Sequence, residues 1–103
     1  MPRVIVVAGD TPASVEAATR AFATPLRIHL IRHYLAHPGP QKAAIEALQV
    51  TQRAVSMNTR VLIATGVVVE EPATDRRSHT YRVDADRLEE LLAAIRGFVM
   101  PRG

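Results

Sequence analysis

Two helical patterns meet across only two residues near the middle of the chain. Gln41–Leu48 and Thr51–Thr65 are separated by Gln49-Val50. A turn that tight fixes the crossing of the helices it joins and leaves few folds open. In the first pattern Ala44, Ile45 and Leu48 share a side. In the second Val55, Leu62 and, less comfortably, Thr59 point the same way. Thr51 supplies an N-cap oxygen, and Gly66 is a natural left-handed stop. The outward residues of the second helix are unusual for an idle wet face. Gln52, Arg53, Ser56, Asn58 and Arg60 can all hydrogen-bond, and none is acidic.

The flanking sequence completes a plan. Val4–Ala8 is mostly β-branched and reads as a short strand ended by Gly9-Asp10. Thr11-Pro12 offers a cap and a first-turn proline for a helix to about Ala23, with Val15, Ala18 and Phe22 on one side. Thr24-Pro25 repeats that signal. The helix from Pro25 to about Ala36 sets Ile28, Ile31 and Leu35 on one stripe, with Leu30 and Tyr34 beside it, and His37-Pro38-Gly39-Pro40 stops it. After the central pair, Val67–Glu71 and Ser78–Val83 form a hairpin about a Pro72–Asp75 turn. Asp84 or Asp86 caps a closing helix in which Leu88, Leu91, Leu92 and Ile95 recur at helical spacing; Glu89 stands where a capping box led by Asp86 would want it. Helices, a short helix–turn–helix, a β-hairpin and a closing helix define a mostly α, winged helix-turn-helix fold.

Composition narrows the setting. At 103 residues and 48% hydrophobic, the chain reads as one domain with a modest core, and 4% aromatics leaves Leu, Ile, Val and Ala to fill it. No cysteine is present, so disulfides and thiolate metal sites are excluded. The Val4–Ala8 run is too short for a secretory core or a membrane span, so a soluble cytoplasmic protein is expected. The formal charge of +3 rests on twelve Arg and one Lys, and its distribution says more than its size. Residues 51–82 hold five Arg against three acids, whereas 84–96 hold two against four.

A basic, amide-rich helix beside a hairpin suits double-stranded DNA. In this plan the second helix of the pair enters the major groove, where Arg reads guanine, Gln adenine, and Ser a base or a phosphate. The expected recognition face is Thr51, Gln52, Arg53, Ser56, Met57, Asn58 and Arg60, with Met57 against a thymine methyl. At the wing, "TDRRSHTYR" places Arg76 and Arg77 to grip phosphates or a narrow minor groove, and Asp75 braces one of them.

The stretch "AIEALQVTQRAVSMNTRVLIATGVV" resembles the helix–turn–helix of ArsR-type winged-helix repressors. Ile45-Glu46-Ala47-Leu48 matches that family's Ala-Glu-Ala-Leu. Thr51-Gln52 matches its Ser-Gln, Val55-Ser56 its Val-Ser, and Val61-Leu62 with Gly66 its Val-Leu and Gly. Upstream, Pro25, Arg27, Ile28 and Leu30 resemble its Pro-x-Arg helix. Downstream, "DRRSHTYRVDADRLEELLAAI" resembles its wing and closing helix, and Asp75-Arg76-Arg77 is also similar to the MarR-type wing. The likeness covers residues 22–98. It departs at Thr59, where leucine is usual, and at Met57-Asn58, where Arg-His is common; the second departure implies an unusual DNA sequence. The resemblance implies a transcriptional regulator, and the fold's small reading head argues for a homodimer.

Other patterns carry less. His29, His33 and His37 are spaced by four, but the family's metal sites use cysteines or closing-helix Asp and His, so no metal and no cofactor are expected. "VIVVAGD" lacks the further glycines of a phosphate loop. His79 reads as a plain strand residue, and no arrangement of catalytic groups suggests an enzyme.

The chain is therefore expected to be one domain, 1–103. Residues 1–23 serve dimerisation, 25–83 form the helix–turn–helix and wing, and 84–99 the closing helix. Val15, Phe22, Leu88, Leu92, Ile95 and Phe98 carry more apolar surface than a small core absorbs and make the expected dimer face. The reading is a DNA-binding repressor acting by promoter occlusion. Its rivals are a winged-helix protein-interaction module and an architectural DNA-binding protein of a phage, plasmid or mobile element.

Overall fold

The computed structural model describes residues 10–72 and 79–102. The expected strand at Val4–Ala8 and the wing-tip Arg76 and Arg77 lie outside the described residues. Within them the order is α1 (Ala13–Ala21), α2 (Pro25–Ala36), α3 (Gln41–Leu48), α4 (Gln52–Ala64), β1 (Val68–Pro72), β2 (His79–Val83) and α5 (Ala85–Val99). The strands pair antiparallel, with Val68 opposite Val83 and Pro72 opposite His79. Pro72 thus ends the first strand instead of opening the turn.

Side chains punctuate these elements as the sequence asks. Thr24, Thr51 and Asp84 each accept a hydrogen bond from the backbone N–H three residues on, at Arg27, Ala54 and Arg87. The cap of α5 is Asp84, so the capping box led by Asp86 is not used. The first helix departs too. Pro12, not Thr11, occupies its cap position, and the Val15 and Glu16 amides bond to the Pro12 carbonyl with no side-chain cap.

Between α3 and α4 the chain turns through Gln49, a non-glycine residue in the left-handed region at φ 56°. Gly66 ends α4 at φ 86°, and a Cβ there would also meet the Arg87 side chain at 3.1 Å. That side chain donates from Nε to the Thr65 carbonyl at 2.9 Å, satisfying an otherwise orphaned helix-end oxygen.

The core gathers Ala18 and Ala21 of α1, Leu30, Ile31 and Tyr34 of α2, Ala44 of α3, Val55 and Leu62 of α4, and Leu91 of α5, closed by Val67, Val68, Tyr81 and Val83. Here α2 corrects the sequence reading. Ile28 and Leu35 are each 51% exposed, while Leu30 and Tyr34 are fully buried. The Ile28–Ile31–Leu35 stripe is a valid helical spacing. So is Leu30–Ile31–Tyr34, and that second stripe meets α4 and β2. Tyr34 decides the matter because its ring stacks toward Tyr81, with centroids 5.8 Å apart, and its hydroxyl finds Thr59.

Thr59 is fully buried, and its Oγ1 lies 3.0 Å from the Tyr34 hydroxyl. A polar residue at this inward position is therefore tolerated because a second polar residue pairs with it. Tyr34→Phe alone should cost about 1–3 kcal/mol, since the Thr59 hydroxyl stays buried without its partner. Tyr34→Phe with Thr59→Val should cost less than the two single changes summed. Denaturant melts of the four proteins measure this coupling, and strictly additive costs would show that the pair contributes nothing.

The loop after α2 docks on the wing. Gly39 and Tyr81 exchange two backbone hydrogen bonds, of 3.0 and 2.8 Å, so the α2–α3 connection joins the hairpin as a one-residue third strand. This bridge ties the wing root to the start of α3 and so sets where the hairpin stands relative to α4.

Candidate nucleic-acid interface

Helix α4 is two-sided. Val55, Thr59 and Leu62 are fully buried, whereas Thr51, Gln52, Arg53, Met57 and Arg60 are exposed. Arg53 and Arg60 make no ion pair among the described residues. They are free to reach outward, and Met57 stands between them at 57% exposure. No acidic residue lies on α4 to oppose an approaching polyanion.

Three members of the expected face are engaged at home. The Thr51 hydroxyl caps α4, accepting from the Ala54 amide at 3.0 Å. Asn58 is half-buried; its Nδ2 donates to the Ala54 carbonyl at 2.7 Å, and its Oδ1 accepts from Arg27 Nε at 2.9 Å. Arg27 also donates from Nη1 to the Arg20 carbonyl at 2.8 Å. One guanidinium thus joins the end of α1, the start of α2 and the middle of α4. That explains structurally a position the sequence offered only as a match to a pattern. Ser56 donates to Gln41 Oε1 at 2.8 Å, fastening α4 to the first turn of α3. Ser56 therefore ties α4 to α3 and Asn58 ties it to α2, and the outward set contracts to Gln52, Arg53, Met57 and Arg60. Spacing put these side chains on the right arc of the helix, but only the neighbouring helices could show which of them are occupied.

A narrow cleft of about 210 Å³ separates α4 from the wing, lined by Gln41, Ser56, Arg60, Ile63, Glu70 and Tyr81. On its wing side, Glu70 Oε2 accepts from the Tyr81 hydroxyl at 3.2 Å and meets His79 Nδ1 at 2.7 Å. Burial, then the nearby Glu70 charge, raises the Tyr81 pKa above its ordinary value, so the phenol stays a donor. Glu71 pairs with Arg82 Nε at 2.9 Å. Such exposed pairs add little stability. Their consequence is local: Glu71 is matched by Arg82, and Glu70 is held by Tyr81 and His79. His79 is thus more than the plain strand residue expected.

The expected dimer residues divide. Val15 is 5% exposed and already consumed by its own protomer. Phe22, Leu88 and Ile95 are half-buried and pack onto the core. Leu92 and Phe98 remain about half exposed, joined by Val99 and Met100 at the end of α5. The apolar run Phe98–Met100 is legible in the sequence, and the structure leaves all three residues exposed. Among the described residues, no group of three His, Cys, Asp or Glu side chains converges as metal ligands, and no helix is long and apolar enough to cross a membrane.

No protein-family model and no curated protein matches the chain. Solved structures do. An ArsR-like transcriptional regulator from Rhodococcus sp. RHA1 superposes with a TM-score of 0.73 at 16% identity, covering 84% of this chain and 77% of that one. An ArsR family transcriptional regulator superposes at 0.68 with 13% identity, over 93% of this chain and 100% of the other. A transcriptional regulator from Thermotoga maritima gives 0.58 at 16% identity, over 84% and 67%. At these identities the likeness defines the fold: this chain has a winged helix-turn-helix fold, similar to that of these structures.

Proposed function

We propose that the protein binds double-stranded DNA in a sequence-dependent way and regulates transcription, as a homodimer that represses by covering a promoter. The observation that carries this reading is the two-sidedness of α4. Its inner residues are sealed in the core, while Gln52, Arg53, Met57 and Arg60 stand outward with no acid among them. Arg and Gln are the side chains whose forked donors and acceptors match guanine and adenine edges in the major groove. The solved structures of the same fold that are named transcriptional regulators favour the same reading. Such a role belongs with the chromosome in the cytoplasm, and it asks for no catalytic group, metal or cofactor.

One helix of this length reads only a few base pairs, so two-fold symmetry supplies the remaining affinity and specificity. The exposed Leu92, Phe98, Val99 and Met100 favour the end of α5 as the dimer surface. Selecting bound sites from random duplexes tests the whole reading. A palindrome with half-sites about one helical turn apart is the expected product. If no duplex is retarded even in dilute salt, the proposal fails and the α4 face belongs to a protein partner. Retardation without sequence preference would instead assign an architectural role.

Arg76 and Arg77, at the expected wing tip, serve phosphates in this scheme. Replacing either by alanine should weaken all duplexes alike and lower the salt slope of binding by about one. A changed base preference with an unchanged slope would move these residues from the backbone to the bases.

A further inference from the structure

On the flank of α2 turned toward α3, two hollows of about 350 and 390 Å³ lie side by side and share His29, Ala47 and Leu48 as lining. They form one trough with unlike ends. The first end adds Arg32, His33 and His37; the second adds Leu26 and Val50. Among the described residues no carboxylate lines either end, and none pairs with Arg32. The His33 and His37 rings stand 5.6 Å apart. His33 Nε2 is buried with no hydrogen-bond partner, a cost that structures seldom leave unanswered. Each hollow falls at the small end of the range for small-molecule clefts, roughly 300–1,000 Å³.

We propose that this trough binds a small apolar monocarboxylate, its carboxylate set among Arg32, His33 and His37 and its body against Leu26, Leu48 and Val50. The acid group supplies the acceptor that the cationic end lacks, held first by the exposed Arg32 and His37, and a rotation of the His33 ring brings its sealed Nε2 to the acid as a further donor. Guanidinium and imidazolium are the partners that bind carboxylates most strongly. Beyond the shared His29 the aliphatic end offers only apolar area, which selects a flat or branched hydrocarbon body over a sugar or a nucleotide. The site stands apart from the α4 face and needs no DNA to be filled.

Binding is linked to protons. The groups facing His33 are His29, Arg32 and the Tyr34 ring from its own helix, His37 at that helix's C-cap, and the uncharged Ala47 and Leu48 from α3. Burial first, and then His37, holds the His33 pKa below its ordinary 6.5. A carboxylate reverses that balance by favouring the imidazolium, so the complex takes up a proton and weakens as pH rises.

The test is a titration of the full chain with 2-naphthoate, followed by NMR of the histidine rings and leucine methyls, with neutral 2-naphthamide as its uncharged twin. Saturable shifts at His29, His33 and Leu48 are expected, with the amide about tenfold weaker or more. Affinity should fall severalfold between about pH 6 and about pH 8, the range over which a histidine titrates. Arg32→Gln and His37→Gln, both at exposed positions, should each weaken the acid about tenfold while leaving the amide spectrum folded. Arg96→Gln, remote on α5, should change nothing. Equal binding of acid and amide, full affinity in Arg32→Gln, binding that strengthens with pH, or shifts that never saturate would each overturn the assignment. None of these readouts uses DNA, so failure of this site and failure of the DNA reading are separable.

Discussion

The double replacement Arg53→Ala with Arg60→Ala should lower affinity for the selected duplex by about two to four orders of magnitude and leave thermal stability almost unchanged. Each arginine is exposed and unpaired among the described residues, so neither contributes to folding beyond surface effects of about 0.5 kcal/mol. Removing an arginine that reads a base costs about 1–3 kcal/mol of binding. The two positions lie seven residues apart, about 10 Å along the helix, far enough to reach different base pairs and for their costs to add. Retardation titrations against the selected site and against scrambled duplex separate weakened specificity from weakened charge attraction. Arg53→Ala alone should relax preference at one base. A double variant that binds with full strength and unaltered preference would remove α4 as the reading surface.

Leu62→Ala should act in the opposite sense: a large loss of stability with sequence preference preserved. Leu62 is fully buried on the inner side of the same helix, within the core cluster. Truncating a buried leucine costs about 2–5 kcal/mol, through the transfer energy of the missing carbons and the cavity left behind. That is a large part of the roughly 5–15 kcal/mol that holds a domain of this size together. The melting temperature should fall by about 8 °C or more. Below the lowered transition, the folded fraction should still select the same duplex, because the outward side chains are untouched. A denaturant melt within about 1 kcal/mol of the parent would mean that the helix does not seal the core as described.

Much of this fold was legible because local signals coincided. Thr24, Thr51 and Asp84 precede helices and cap them, Gly66 terminates α4 at positive φ, and the second wing strand alternates. The inward set of α4 follows correctly from spacing alone, including the reluctant Thr59. The α2 stripe does not, because a helix with apolar residues on two overlapping stripes gives periodicity nothing to choose between. Tyr34 reaching Thr59 and Tyr81 made the choice. The α4 face was likewise half legible. The outward arc follows from 3.6 residues per turn, but the engagement of Asn58 by Arg27, a residue 31 positions away, is a fact of packing.

The linear order of residues was enough to set the bounds of α2, α3 and α4, the helix–turn–helix spacing and the acid-free outer arc of α4, since all of these depend on neighbours within a turn or two. Tertiary structure alone decided which side of α2 is inside, that Ser56 ties α4 to α3 and Asn58 ties it to α2, that Gly39 clips the wing, and that the Nε2 of half-buried His33 is sealed without a partner. The reason is physical. Helical and strand periods constrain directions around one axis, whereas hydrogen bonds and burial between elements depend on how axes cross, and that is settled only when distant segments compete for the same core.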